Sequence, residues 1–230
     1  AVVLGRRVVF SKGAHKPHNV PLVLLGAALL WFGWFGFNAG AEFLAEGMPG
    51  VGLIVVNTLG ATSAAILGWM IIEKLKDGKA TAVGAASGAV TGLVAITPAC
   101  ANLTPGFALL LGVVAGVISA LAVDLKFKFG YDDSLDVVGI HLVAGLVGTL
   151  YLGFFAIDTG LFTGGDFGQL TVQAIAAVGI MVYSFVVALI LGFAIEKTLG
   201  FRVTSEDEVA GIDTAVHGEE GYQLEEDARV

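Results

Sequence analysis

Apolar residues run through this chain in long blocks with short polar punctuation. The blocks show neither the alternation of a half-buried strand nor the single stripe of a surface helix. Basic residues mark the block ends. They fall at Arg6, Arg7, Lys12 and Lys16, then Lys74, Lys76 and Lys79, then Lys126 and Lys128, then Lys197 and Arg202, with Arg229 near the end. Between clusters lie apolar stretches of about 45–65 residues, each long enough for two helices at roughly 20 residues per membrane span. Each stretch is interrupted midway, at Glu42–Gly50, at Thr97–Gly106 and at Asp158–Gly168. The pattern predicts six spans, near residues 21–43, 51–73, 81–101, 106–125, 136–157 and 170–195.

With six spans every Lys and Arg falls on one side of the bilayer, which the bias of basic residues makes cytoplasmic. The breaks carry Glu42, Glu46, Asp158 and Asp166 but no base, and so face outside. The expected organisation is a lead-in over residues 1–17, a transmembrane domain over 18–200 and a cytoplasmic tail over 201–230. The expected location is the cell membrane, with the chain crossing the bilayer several times. The opening stub AVVLG begins with Ala1 and runs straight into Arg6 and Arg7. That order suits the inner end of a preceding helix better than a signal peptide, whose charges come first. A short amphipathic lead-in is the alternative.

Composition agrees with the pattern. Hydrophobic residues make up 56% and charged residues 14%, with a mean hydropathy of +0.86. Soluble domains hold about 45–50% and about 25%. Disorder needs the opposite balance, and the single Cys100 excludes a disulfide scaffold. The 33 glycines follow no three-residue period, which excludes collagen. The net charge of −8 is local: nine acids lie within Thr204–Val230 beside Arg229 alone, and elsewhere eleven bases balance eleven acids. There is no basic footprint for nucleic acid.

Small residues recur every four positions at Gly36 and Gly40, at Gly84, Gly88 and Gly92, and at Gly112 and Gly116. That spacing sets them on one helix face and lets backbones approach. No Walker A, GxSxG, HExxH or CxxC motif is present, so neither an enzyme nor a cofactor or metal site is expected. His141 lies inside a predicted span that starts near Ser134, which places it about 10 Å along the helix. Ionisable groups within a bilayer are costly and face a pathway or a partner. A neutral imidazole there could pass a small polar solute or a proton, or bond a neighbouring carbonyl as a packed core residue. Asn57 and Thr58 suit interhelical hydrogen bonds. Asp132, Asp133 and Asp136 suit helix capping. His15 and His18 read as solvated loop residues and Cys100 as inert. Asn102-Leu103-Thr104 fits a glycosylation sequon by chance as easily as by design. The run from Trp31 to Gly40, WFGWFGFNAG, is either an ordinary interfacial aromatic belt or a constriction with a cation site.

That run resembles the ammonium transporter (Amt/Mep/Rh) family, whose GWFGFNAG stands complete at Gly33–Gly40. KPHN at Lys16–Asn19, GLVAITPAC at Gly92–Cys100, DDSLDVVGIH at Asp132–His141 and HGEEGY at His217–Tyr222 are similar to further family motifs, in order along the chain. The resemblance implies an all-α integral membrane fold of eleven spans with an inverted repeat, of which this chain would hold the sixth to eleventh as a C-terminal half. It implies a homotrimer with one pore per subunit, transporting ammonium or ammonia. His141 matches the second pore histidine and Phe37 one of two stacked phenylalanines at the outer gate. Trp34 and Asn38 belong to the same motif. Ala41 stands where a serine usually helps bind ammonium, which weakens that site or shifts it to aromatics in the half that this chain does not hold. Ser134 replaces a usual proline, and Leu142 replaces a usual glycine, which by the resemblance implies a narrower pore beside His141. Gly211, Asp213, His217, Gly218, Glu219 and Tyr222 match the regulatory tail, which in prokaryotic relatives can meet PII signalling proteins. The alternative function is an ammonium sensor that signals through this tail.

Overall fold

The computed structural model describes residues 3–10, 16–45 and 48–222. Ala1, Val2, Lys12, His15, Glu46 and the acids and Arg229 beyond Tyr222 lie outside the described residues. Helix α1 spans Val20–Ala45, followed by a short 3-10 turn at Met48–Gly50. Then come α2 (Val51–Asp77), α3 (Ala82–Ile96), α4 (Pro105–Ala122) and α5 (Leu125–Phe129). A π-helical turn, Val138–Val143, runs directly into α6 (Ala144–Phe155). Helix α7 covers Phe167–Thr198, α8 covers Ser205–Ala210, and a second π-helical turn covers Asp213–His217. No strand occurs among the described residues.

Five segments are long and apolar enough to cross a membrane: Val20–Glu42, Met48–Asp77, Pro105–Phe129, Val138–Phe155 and Phe167–Thr198. Each overlaps one of the six predicted spans. The remaining span, expected over 81–101, forms the 15-residue α3, about 22 Å at about 1.5 Å per residue. It stops early because Pro98 has no N–H to continue the ladder. Short turn bonds follow, from Ala99 N–H to the Ile96 carbonyl at 2.9 Å and from Asn102 N–H to the Ala99 carbonyl at 3.1 Å.

Local signals set the helix ends. Gly78, left-handed at φ 78°, closes α2 by donating its N–H to the Lys74 carbonyl. Thr81 caps α3 by accepting from Gly84 N–H at 2.9 Å, and itself donates to Glu73 of α2 at 2.7 Å. Pro105 opens α4, where its missing donor costs nothing.

Helix α2 is the hub, and the four-residue glycine rows explain why. A Cβ on Gly92 would stand 2.7 Å from the Thr62 Cα, and one on Gly88 2.9 Å from the Ile66 Cα. Gly112 and Gly116 of α4 press against the carbonyls of Ala61 and Ala65 on the same helix. Gly36 and Gly40 of α1 meet nothing within 4 Å among the described residues. The core is filled by Ile54, Ile96, Leu103, Leu111 and Leu152 among many alanines. Two compact units result. Residues 16–184 carry α1 to α6 and the first part of α7, and residues 3–10 group with 185–222.

Candidate functional site

Three sets of side chains carry the chemistry expected from the sequence. The first lies where α1, α2 and α3 meet. Asn38 is 4% exposed, the one buried position between Val20 and Glu42. Its amide donates to Thr58 Oγ1 of α2 at 3.0 Å, and its Oδ1 lies 3.2 Å from the Thr97 hydroxyl at the end of α3. That hydroxyl also reaches the Leu93 carbonyl at 2.7 Å and accepts the Trp34 indole N–H at 2.7 Å. The Trp34 and Phe37 rings pack 5.4 Å apart, tilted by 47°. Phe37 is 63% exposed, and Ala41, one turn further on, is exposed too. The structure therefore joins Trp34 and Asn38 through Thr97, with Phe37 packed on the Trp34 ring; Thr97 is not among the expected site residues. Its position before Pro98, where a helix must end with polar groups to satisfy, was the available signal.

The second set is at the start of α6. The expected helix start near Ser134 is corrected: the ladder begins at Val138, because Asp136 takes a left-handed conformation with φ 57°. His141 therefore sits in the first turn, not two turns in. That turn is π-helical, a rare form frequent at functional sites. The imidazole is exposed and has no hydrogen-bond or ion-pair partner among the described residues. Neighbouring Leu142 is exposed as well. Asp133 caps the turn, as the acidic cluster suggested, accepting from Val137 and Val138 N–H at 2.9 and 2.8 Å. Asp136 instead pairs with Lys126 at 2.5 Å. In the sequence Lys126 marks only the cytoplasmic side. No hydrogen bond or ring contact among the described residues joins His141 to the aromatic set.

The third set is the tail. Thr204 caps α8 by accepting from Asp207 N–H at 3.1 Å. Gly211 and Gly218 sit at φ 104° and 70°, so the motif's glycines are those of a chain that must turn left-handed. Asp213 and His217 bound the second π-helical turn, and Glu219 N–H returns to the Asp213 carbonyl at 3.2 Å. Tyr222 is exposed. Arg202 binds Glu208 at 2.7 Å and the Leu4 carbonyl at 2.8 Å, while Val8 N–H donates to Glu208 at 2.6 Å. The Arg202 guanidinium, with the Val8 N–H behind it, holds the Glu208 carboxyl below its ordinary value.

Helices of this length and apolarity define a membrane protein that crosses the bilayer several times. The model of the Ammonium Transporter Family matches residues 1–222, and the chain belongs to that family. An ammonium transporter from Mycobacterium bovis is 52% identical over 236 residues, covering 97% of this chain and 49% of that relative. The solved structure of a Sensor Amt Protein superposes with a TM-score of 0.82 at 29% identity, covering 94% of this chain and 55% of the other. That of Candida albicans Mep2 superposes with a TM-score of 0.76 at 32% identity, covering 84% and 45%. The chain spans about half the length of the curated relatives it matches.

Proposed function

We propose that this chain forms one wall of a pore conducting ammonium or ammonia, and that His141 faces the lumen. The observation that carries the reading is the exposed imidazole, without a partner among the described residues, on a membrane-spanning segment. Turned towards lipid it would be costly, so it faces a path or the surface that encloses one. A bare cation is too expensive in an apolar lumen. Ammonium therefore sheds its proton near the mouth, and the neutral molecule exchanges hydrogen bonds with the imidazole. Phe37 and Trp34 supply aromatic faces for the cation at the entrance. Ala41 offers no hydrogen bond there. Asn38, buried and bonded on both sides of its amide, orients the aromatic pair without touching the solute.

The same reading places a homotrimer in the cell membrane, with the basic clusters and the tail in the cytoplasm within reach of a PII protein. The test is His141→Ala in the complete protein, read as ammonium flux and selectivity over potassium. A changed flux or charge coupling is expected, and unchanged current and selectivity would sink the assignment.

A second reading is a sensor that signals through the tail. It is favoured by the likeness to a structure titled Sensor Amt Protein and by the bonds of Arg202 and Glu208 to residues 4 and 8. Deleting the tail separates the two readings. A transporter keeps net flux or loses its regulation, whereas a pure sensor shows no net flux in either form.

A further inference from the structure

Lys126 is a buried cation, 8% exposed, at the foot of the α4–α5 segment. Desolvating an ammonium group costs several kcal/mol unless partners replace the water. Here Asp136 Oδ1 stands at 2.5 Å and the Asp133 carbonyl at 3.0 Å. Both partners belong to the segment that launches the π-helical turn bearing His141. Asp136 holds the left-handed conformation that delays the helix, and its carbonyl accepts the first ladder bond, from Ile140 N–H at 2.8 Å. Asp133, on the same ammonium, caps the two preceding amides. Further along, Gly139 packs on Val123, and Gly148 packs on the Ala95 carbonyl of α3. The turn is thus pinned at both ends. Between the pins it accommodates one residue more than an α-helical turn would. Shifting the register by one residue would swing His141 by about 100°.

We propose that Lys126 and Asp136 are positioning residues for His141: their ion pair anchors the start of the π-helical turn and sets the direction in which the imidazole leaves the helix. The inference rests on the reading of His141 as a lumen residue. An apolar pair of the same volume often stabilises a fold as well as a buried ion pair does. The pair's role here is therefore register, with little gain in stability.

The test uses Asp136→Asn in the complete transporter. Asparagine keeps the left-handed backbone but loses the charge. Flux and ammonium-over-potassium selectivity are measured per molecule of protein in the membrane. Selectivity is expected to fall by about tenfold or more, as displacing a working group by about 1 Å costs up to about 10²-fold. Lys126→Arg, which keeps the charge, is expected to retain most of it. Unchanged selectivity per molecule, or a loss that follows protein amount alone, overturns the proposal. If Asp136→Asn fails to reach the membrane, the double variant Lys126→Met with Asp136→Gly removes both charges and leaves the left-handed backbone free, and is judged by the same criterion. His141→Ala is run alongside. If His141→Ala has no effect, the lumen reading fails. If it has an effect that Asp136→Asn lacks, only the positioning role fails.

Discussion

Asn57 and Asn38 are both buried amides, yet their neighbours give them different weights. Asn57 donates through one nitrogen to two carbonyls, Cys100 at 2.9 Å and Leu103 at 2.7 Å. Two acceptors fix which way the amide points, and its Oδ1 is left without a partner among the described residues. No other described donor serves those two carbonyls in their turn. The Thr97 hydroxyl beside Asn38, in contrast, already reaches the Leu93 carbonyl. Losing Asn57 orphans two buried acceptors, at about 1–3 kcal/mol each. Losing Asn38 breaks interhelical bonds that in membranes average about 0.6 and reach about 1.7 kcal/mol. Asn57→Ala is therefore expected to destabilise the protein by about 2–6 kcal/mol and Asn38→Ala by about 1–2 kcal/mol. Unfolding in detergent, followed by tryptophan fluorescence, ranks the two, and an inverted order would contradict this account.

Among the elements, spacing alone could not tell which glycine rows pack. All three rows have the same four-residue period. Those on α3 and α4 press on α2, while that on α1 meets open space within the described residues. At Gly116 an added side chain runs into the backbone of α2, which cannot rotate aside. Gly116→Val is expected to lose several kcal/mol, beyond the roughly 1–3 kcal/mol of ordinary overpacking. Gly106→Ala, on the exposed first turn of α4 with nothing within 4 Å among the described residues, is expected to be neutral within about 0.5 kcal/mol. Yield of folded protein from the membrane and its melting temperature check both. Helix existence was legible from the blocks of apolar residues and the basic clusters, and the breaks fell where Pro98, Pro105 and the loop glycines stand. The register of α6 was not legible. A left-handed aspartate and a π-helical turn leave no periodic trace, and the ion pair that explains them joins positions ten apart across a loop. The aromatic motif showed which residues matter at the end of α1. It did not show that Asn38 points inward and Phe37 outward, because that depends on Thr58 and Thr97 arriving from other helices.

At the scale of the whole molecule, the unit formed by residues 3–10 and 185–222 is joined in part through a group that titrates. Glu208 accepts from Arg202 and from Val8 N–H, and both contacts favour its charged form. Its pKa in the folded chain is therefore lower than in the unfolded chain, where an unperturbed glutamate titrates at about 4.3. The sign follows from linkage: the contribution is fully present above the unfolded value and is lost as pH falls through the folded one. At neutral pH the amides of residues 3–10 and 201–210 are expected to exchange slowly. Their protection should fall on acidification below about pH 4. Glu208→Gln should give the acid behaviour already at pH 7, since a neutral amide keeps an acceptor but loses the charge that Arg202 faces. Helix α2, with no titrating group in its packed middle, serves as the internal reference. Hydrogen exchange at pH 7 and at about pH 3 on wild type and variant decides the matter. If protection of both segments is equal in all four samples, Glu208 is not what ties residue 8 to α8.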